Sequence, residues 1–163
     1  MSMIILGVDP GIRITGYAIA RVQGGKTSIF DYGYLPLKGE KSVPERVAEF
    51  HTFFADKITS LNITHLTIET PFMGKNAQSF VKLGYLRGIL FLLSQHHNLV
   101  LHELTPRQIK QAVTGHGGAS KEQVALMMNH LFPALGQLGK TVKQDVTDAL
   151  AICMSGIWVS REG

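Results

Sequence analysis

Four acids in this chain stand where carboxylates can do chemistry: Asp9 in Val8-Asp9-Pro10-Gly11, Glu69 before Thr70-Pro71, and Asp145 and Asp148 in Gln144-Asp145-Val146-Thr147-Asp148. On a helix, the three-residue spacing of Asp145 and Asp148 puts their side chains about 60° apart around the axis, on one face. Each acid has an ordinary explanation. The first turns of a helix favour negative charge, Asp-Pro-Gly is common turn chemistry, and a charged residue closing a strand is unremarkable. Together they suit one purpose. Four anions at close range repel and need cations, and hard oxygen ligands without a Cys or His pattern select Mg²⁺ or Mn²⁺ over zinc. Two such ions ~3.5–4 Å apart activate a water and stabilise the leaving oxygen in phosphodiester cleavage, with no side-chain nucleophile.

Bringing these acids together requires a sheet and a helix. Met3 to Val8 is a β-branched-rich apolar run that ends at the Asp9-Pro10-Gly11 turn, and it reads as a strand buried on both faces. Ile14 to Val22 and Ser28 to Leu37, separated by Gly24-Gly25, read as a hairpin. Ser42-Val43-Pro44-Glu45 is a capping box, followed by Val47, Phe50, Phe54, Ile58 and Leu61 at helical spacing. His65 to Ile68 predicts a strand that delivers Glu69 to its end, because Pro71 biases Thr70 away from helix. A long helix is predicted from about Asn76 to His97, then a strand from Leu99 to Leu104, giving a right-handed parallel crossover.

Thr105-Pro106-Arg107-Gln108 opens a short helix that Gly115-His116-Gly117-Gly118 ends. Ser120-Lys121-Glu122-Gln123 opens another to about Phe132, before Pro133, and a last helix runs from about Val142 to Val159. This order predicts an α/β fold with a mixed five-stranded sheet flanked by helices. If the first strand and the His65 strand are parallel neighbours, Asp9 and Glu69 emerge at one sheet edge, where open α/β sheets place ligands.

A chain of 163 residues, 45% of them apolar, is long enough for one well-buried core and short for two, so residues 1–163 are expected to form a single domain. The 16 Lys+Arg exceed the 12 Asp+Glu, for a net charge of +4. With four acids drawn into one pocket, the rest of the surface is more positive than that figure, as suits a negative site in a nucleic-acid platform. The lone Cys153 excludes an internal disulfide and points to a reducing compartment. The N-terminus lacks the basic opening of a signal peptide, and the longest clearly apolar run, Ile89 to Leu93, is far below the roughly 20 residues of a bilayer crossing. A soluble, cytoplasmic protein without membrane association is expected. His96, His97, His102, His116 and His130 fall at no metal-ligand spacing.

Four blocks carry a family resemblance: GVDPGIRITGYAI (Gly7 to Ile19), ETPFMGKNAQSFVKLGYLRG (Glu69 to Gly88), TPRQIKQAVTGHGGASKEQV (Thr105 to Val124) and KQDVTDALAI (Lys143 to Ile152). In order and spacing, across nearly the whole chain, they resemble the RuvC-type Holliday junction resolvases, the crossover junction endodeoxyribonucleases. The resemblance implies a ribonuclease H-like fold, a homodimer, and symmetric Mg²⁺-dependent nicking of two strands across a four-way DNA junction during recombination and repair. It also suggests partnership with a branch-migration complex of the RuvA and RuvB type.

By matching position, Asp9, Glu69, Asp145 and Asp148 are the implied metal carboxylates, for two Mg²⁺ per site with Mn²⁺ able to substitute. Lys110 and Lys121 are the implied cations beside the scissile phosphate, and Phe72 is the implied base-stacking aromatic. Charge alone adds Lys75, Lys82, Arg87 and Arg107 as contacts to backbone phosphates. Thr70 departs from the family, whose members often carry glutamine after the glutamate.

Two other readings remain. Asp9 to Gly16 also resembles the phosphate-binding hairpin of actin-like ATPases and sugar kinases, although that architecture needs two such domains. A junction-binding protein without nuclease activity is the other, but it gains nothing from carboxylates beside phosphate. The apolar long helix, with Leu83, Leu86 and Leu90, is the expected dimer face.

Overall fold

The computed structural model describes residues 2–71, 76–137 and 140–162. Three strands open the chain, β1 (Met3–Asp9), β2 (Ile14–Gln23) and β3 (Lys26–Pro36), followed by α1 (Val43–Ser60), β4 (His65–Glu69), α2 (Ala77–His96) and β5 (Val100–Leu104). Helices α3 (Pro106–Thr114) and α4 (Lys121–Leu131), a 3₁₀ turn (Pro133–Gln137) and α5 (Lys140–Glu162) complete it. The sheet order is β3-β2-β1-β4-β5, with β1, β2 and β3 antiparallel and β1, β4 and β5 parallel. The expected mixed five-stranded sheet is therefore present.

Local chemistry sets the element ends. Gly24 and Gly25, at φ 57° and 78°, make the two-residue turn between β2 and β3, in a conformation only glycine adopts cheaply. Ser42, Thr105 and Ser120 each close a capping box, with Glu45, Gln108 and Gln123 reaching back to the cap N–H. Asn76 caps α2 by accepting from Ser79 N at 3.1 Å. Gly115, left-handed at φ 76°, terminates α3. α5 runs beyond the expected Val142 to Val159, and its last turn is tied down where Arg161 donates to Gly25 O and Thr27 Oγ1. Pro133 opens a 3₁₀ turn rather than only stopping α4.

The sheet is buried on both faces. Ile5, Ala18 and Ala20 point into a core filled by Val146, Ala149, Leu150, Ile152, Cys153 and Ile157 of α5. Ile4, Leu6, Val8, Tyr17 and Ile19 point the other way, against Phe50, Phe54 and Ile58 of α1 and Leu86, Leu90 and Leu93 of α2. The period-two alternation of β1 thus feeds two cores, which is why it reads as a continuous apolar run.

That packing corrects the expected partner face. Leu86 and Leu90 are fully buried in the chain's own core, so neither can mate with a second chain. Among the apolar residues α2 turns outward are Val81 and Tyr85, both about half exposed, along with Phe91 and Leu92 nearer its C-terminus. Val81 and Tyr85 line an open groove of about 1100 Å³ with Val43, Pro44 and Val47 of α1. No helix among the described residues is long and apolar enough to cross a membrane.

Candidate active site

Asp9 and Glu69 are the last residues of parallel neighbours, one step past the Val8–Ile68 register pair, so both carboxylates leave the sheet at the same edge. Asp145 and Asp148 reach that edge because α5 lies unusually close to the sheet. A Cβ on Gly7 would fall 2.5 Å from Cys153 N, and one on Gly16 would fall 2.2 Å from Asp145 O. Gly16 is also the register partner of Asp9. The backbone of Asp145 therefore rests directly over the residue opposite Asp9. The loop after β1 is fixed by Thr15 Oγ1, which bonds Gly11 N and O, and by Arg46, which donates to Ile12 O at 3.1 Å.

The electrostatics show convergence. Burial first, then the charges of Asp148, Glu69 and Asp145, push Asp9 up to about 7, and Lys121 offsets this only in part. Burial and Asp148 raise Glu69, against the pull of Lys121, Lys110 and Arg87. Asp148 is raised by burial and by Asp145, while Gln144 and Lys121 draw it down. Gln144 Nε2 donates to both Asp148 oxygens, at 3.2 and 3.4 Å. Burial also raises Asp145, against a backbone hydrogen bond that lowers it.

Glu69, Asp148, Lys110 and Lys121 line a cleft of about 140 Å³, floored by Ile109, Val124, Ala151 and Ile152. Lys121 starts α4 and Lys110 sits in α3, so the Thr105 and Ser120 capping boxes orient the elements that carry the two cations. The carboxylates face one space without meeting: among the described residues, no three His, Cys, Asp or Glu side chains are grouped closely enough to hold a metal ion. The donor set still fits hard divalent cations, since it is all carboxylate oxygen and the neighbouring acids add to the burial that pushes Asp9 up to about 7.

Among the described residues, Arg87, Lys82 and Arg107 do not line the cleft. Arg87, expected at a phosphate, is a correction: it is only 7% exposed. Its guanidinium donates to Glu69 O and to Glu103 Oε2, leaving it turned inward. Lys82 lies beside the outer groove of α2. Arg107 is exposed on another face of α3, in a groove with Gln111, Trp158 and Arg161. Phe72 and Lys75 lie outside the described residues. Sequence reading missed Gln144, Glu103 and the inward placement of Arg87. Only Gln144 had a visible signal, four residues before Asp148 on one helix face.

Comparison with known proteins agrees with this architecture. The family model described as crossover junction endodeoxyribonuclease RuvC matches residues 5–156. A crossover junction endodeoxyribonuclease RuvC from Chlorobium phaeobacteroides is 41% identical over 152 residues, covering 93% of this chain and 80% of that protein. T. thermophilus RuvC, solved in complex with a Holliday junction substrate, superposes with a TM-score of 0.85 at 26% identity, over 99% of this chain and 96% of that one. The yeast mitochondrial Holliday junction resolvase, at 15% identity and a TM-score of 0.70 over 94% of this chain and 77% of that one, shares the fold. Sequence and backbone thus agree over almost the whole length, and the chain belongs to the crossover junction endodeoxyribonuclease RuvC family.

Proposed function

We propose that this chain resolves four-way (Holliday) DNA junctions by symmetric, divalent-metal-dependent phosphodiester hydrolysis in recombination and repair. The observation that carries the reading is that Asp9, Glu69, Asp145 and Asp148 act on one another at one sheet edge, with Asp9 pushed up to about 7 by burial and then by its fellow acids. A phosphate brought there without cations would only add repulsion. Family membership supports the reading, and the nucleotide-binding and non-catalytic alternatives have no such support.

Asp9, Glu69, Asp145 and Asp148 hold Mg²⁺, two ions per site, with Mn²⁺ as a substitute. The bound ions supply Lewis acidity and a water of lowered pKa. Asp9 and Glu69, fixed to strand ends, set one side of the site, and Asp148, steadied by Gln144, sets the other. Lys110 and Lys121 draw the scissile phosphate over the carboxylates and balance charge as the leaving oxygen departs. Phe72 stacks on bases near the junction centre, with Lys75, Lys82 and Arg107 on backbone phosphates.

Residues 1–163 act as one nuclease domain, supported by two cores that share a single sheet. The active form is a homodimer, because a four-way junction has two-fold symmetry and the Val81–Tyr85 face of α2 is apolar and open. A branch-migration complex of the RuvA and RuvB type delivers the substrate, and the cytoplasm is the compartment in which a lone buried thiol, Cys153, is at home.

The test is a labelled four-way junction incubated with purified protein and Mg²⁺, with the cut sites mapped. Paired nicks at symmetric positions are expected. Intact junctions at saturating protein in both Mg²⁺ and Mn²⁺ would refute the assignment.

A further inference from the structure

Arg87 sits on the inner face of α2, and its guanidinium bridges two strands. One amino group donates to the main-chain carbonyl of Glu69, and the other donates to Glu103 Oε2 at 2.6 Å. Glu69 and Leu104 form the last pair of the β4–β5 ladder, and Thr70 N donates to Leu104 O at 2.8 Å, so this is where ladder bonds run out. The Arg87 side chain is 8% exposed, whereas that of Glu103 is 41% exposed. The cation is thus committed to the interior, and the anion holds it from the solvent side. The guanidinium also lies over the Phe91 ring, 5.5 Å from its centroid, which limits its swing. A planar fork can serve a carbonyl and a carboxylate at once, which an ammonium cannot do with the same geometry.

We propose that Arg87 and Glu103 are a positioning pair that fixes the end of β4, and through it holds the Glu69 carboxylate where metal ions are captured with Asp9 and Asp148. The inference rests on the nuclease reading of those acids. Neither residue touches the reacting atoms, because Arg87 is turned to the main chain of Glu69 and the cleft is lined by other side chains. Their effect is therefore on how Glu69 is presented, and it differs from the phosphate contact that the charge of Arg87 suggests.

The test uses full-length Arg87→Gln, Arg87→Lys and Glu103→Gln proteins with four measurements: thermal melting, junction affinity in EDTA, Mn²⁺ binding followed by electron paramagnetic resonance, and cleavage against metal concentration. Arg87→Gln is expected to weaken Mn²⁺ binding about tenfold, the scale of losing an outer-shell partner of a ligand. It should raise the half-saturating metal concentration in cleavage to match, with junction affinity in EDTA within about twofold of the parent. Glu103→Gln should fall between the two, and excess metal should restore much of its rate.

Parent-like Mn²⁺ binding and metal dependence in Arg87→Gln would overturn the proposal. If Arg87→Gln does not fold, the folded fractions of Arg87→Lys and Glu103→Gln decide: unaltered metal binding there makes the pair merely structural and likewise overturns it. Selective loss of junction affinity in EDTA would overturn it too, by returning Arg87 to the DNA surface. Weakened Mn²⁺ binding in the variants of a parent that cuts no junction would sustain the positioning pair while defeating the nuclease reading.

Discussion

At the scale of single residues, the site is a strained electrostatic arrangement. Burial first, and then the charges of Asp148, Glu69 and Asp145, push Asp9 up to about 7 from the usual carboxylate range. In the unfolded chain Asp9 ionises near ~3.9, so the folded form is favoured while the group stays protonated, and that advantage is lost as pH rises through the interval up to about 7. Metal-free protein at neutral pH therefore carries a penalty on the order of 4 kcal/mol at most, reduced by any relaxation of the cluster. Asp9→Asn should raise the melting temperature measured in EDTA at pH 7.5 by several degrees, keep junction binding and abolish cleavage. A variant that melts lower and loses DNA binding with it would mark Asp9 as structural. The same sign governs metal capture: ions must displace a proton from Asp9, so the apparent metal affinity should climb with pH up to about 7.

At the scale of elements, close approach of α5 to the sheet delivers two of the four acids. Gly16→Ala would place a methyl 2.2 Å from Asp145 O, against main chain that cannot swing aside. The expected cost is about 1–3 kcal/mol in unfolding by denaturant, with a disproportionate fall in cleavage as Asp145 and Asp148 move from Asp9. Parent-like cleavage by Gly16→Ala would show that α5 need not lie so close.

The element boundaries near the site were legible because they follow local rules: the Ser42, Thr105 and Ser120 boxes and the Gly24-Gly25 turn depend on a few neighbouring residues. The burial of Arg87, Leu86 and Leu90 was not, because α2 is largely apolar and its periodicity does not say which side meets the sheet. Charge likewise cannot tell a buried guanidinium held by Glu103 from one waiting for phosphate.

Strands β4 and β5 hold another feature invisible to spacing, at the start of β4 and the middle of β5. His65 and His102 stack with ring centroids 5.9 Å apart and planes at 15°, while His65 Nδ1 meets Thr64 Oγ1 and His102 Nε2 meets Ser160 Oγ of α5. Burial lowers both, and His102 lowers His65 further. Their stabilisation is complete above the ordinary histidine value of ~6.5 and is lost as pH falls through the lower folded values. His102→Phe should flatten the decline in melting temperature between about pH 7 and pH 5. An unchanged acid limb would exclude the pair as its source.

At the scale of the whole molecule, the proposed positioning pair and the proposed subunit contact fall on opposite faces of α2. Its inner face holds Arg87 against the end of β4, and its outer face presents Val81 and Tyr85 beside Val43, Pro44 and Val47. A second copy covering that groove would bury apolar surface worth about 25 cal/mol per Å² and set two carboxylate clusters in a fixed relation, as a two-fold symmetric junction requires. Val81→Glu with Tyr85→Asp places charge on residues half exposed in the single chain, so folding should be little disturbed. Light scattering should show the parent as a dimer and the double variant as a monomer. On a junction, that monomer should leave single nicks where the parent leaves paired cuts, because one cluster reaches one strand at a time. A double variant that stays dimeric and still cuts in pairs would move the subunit contact to another surface, and a parent that is monomeric both free and on the junction would remove the need for one.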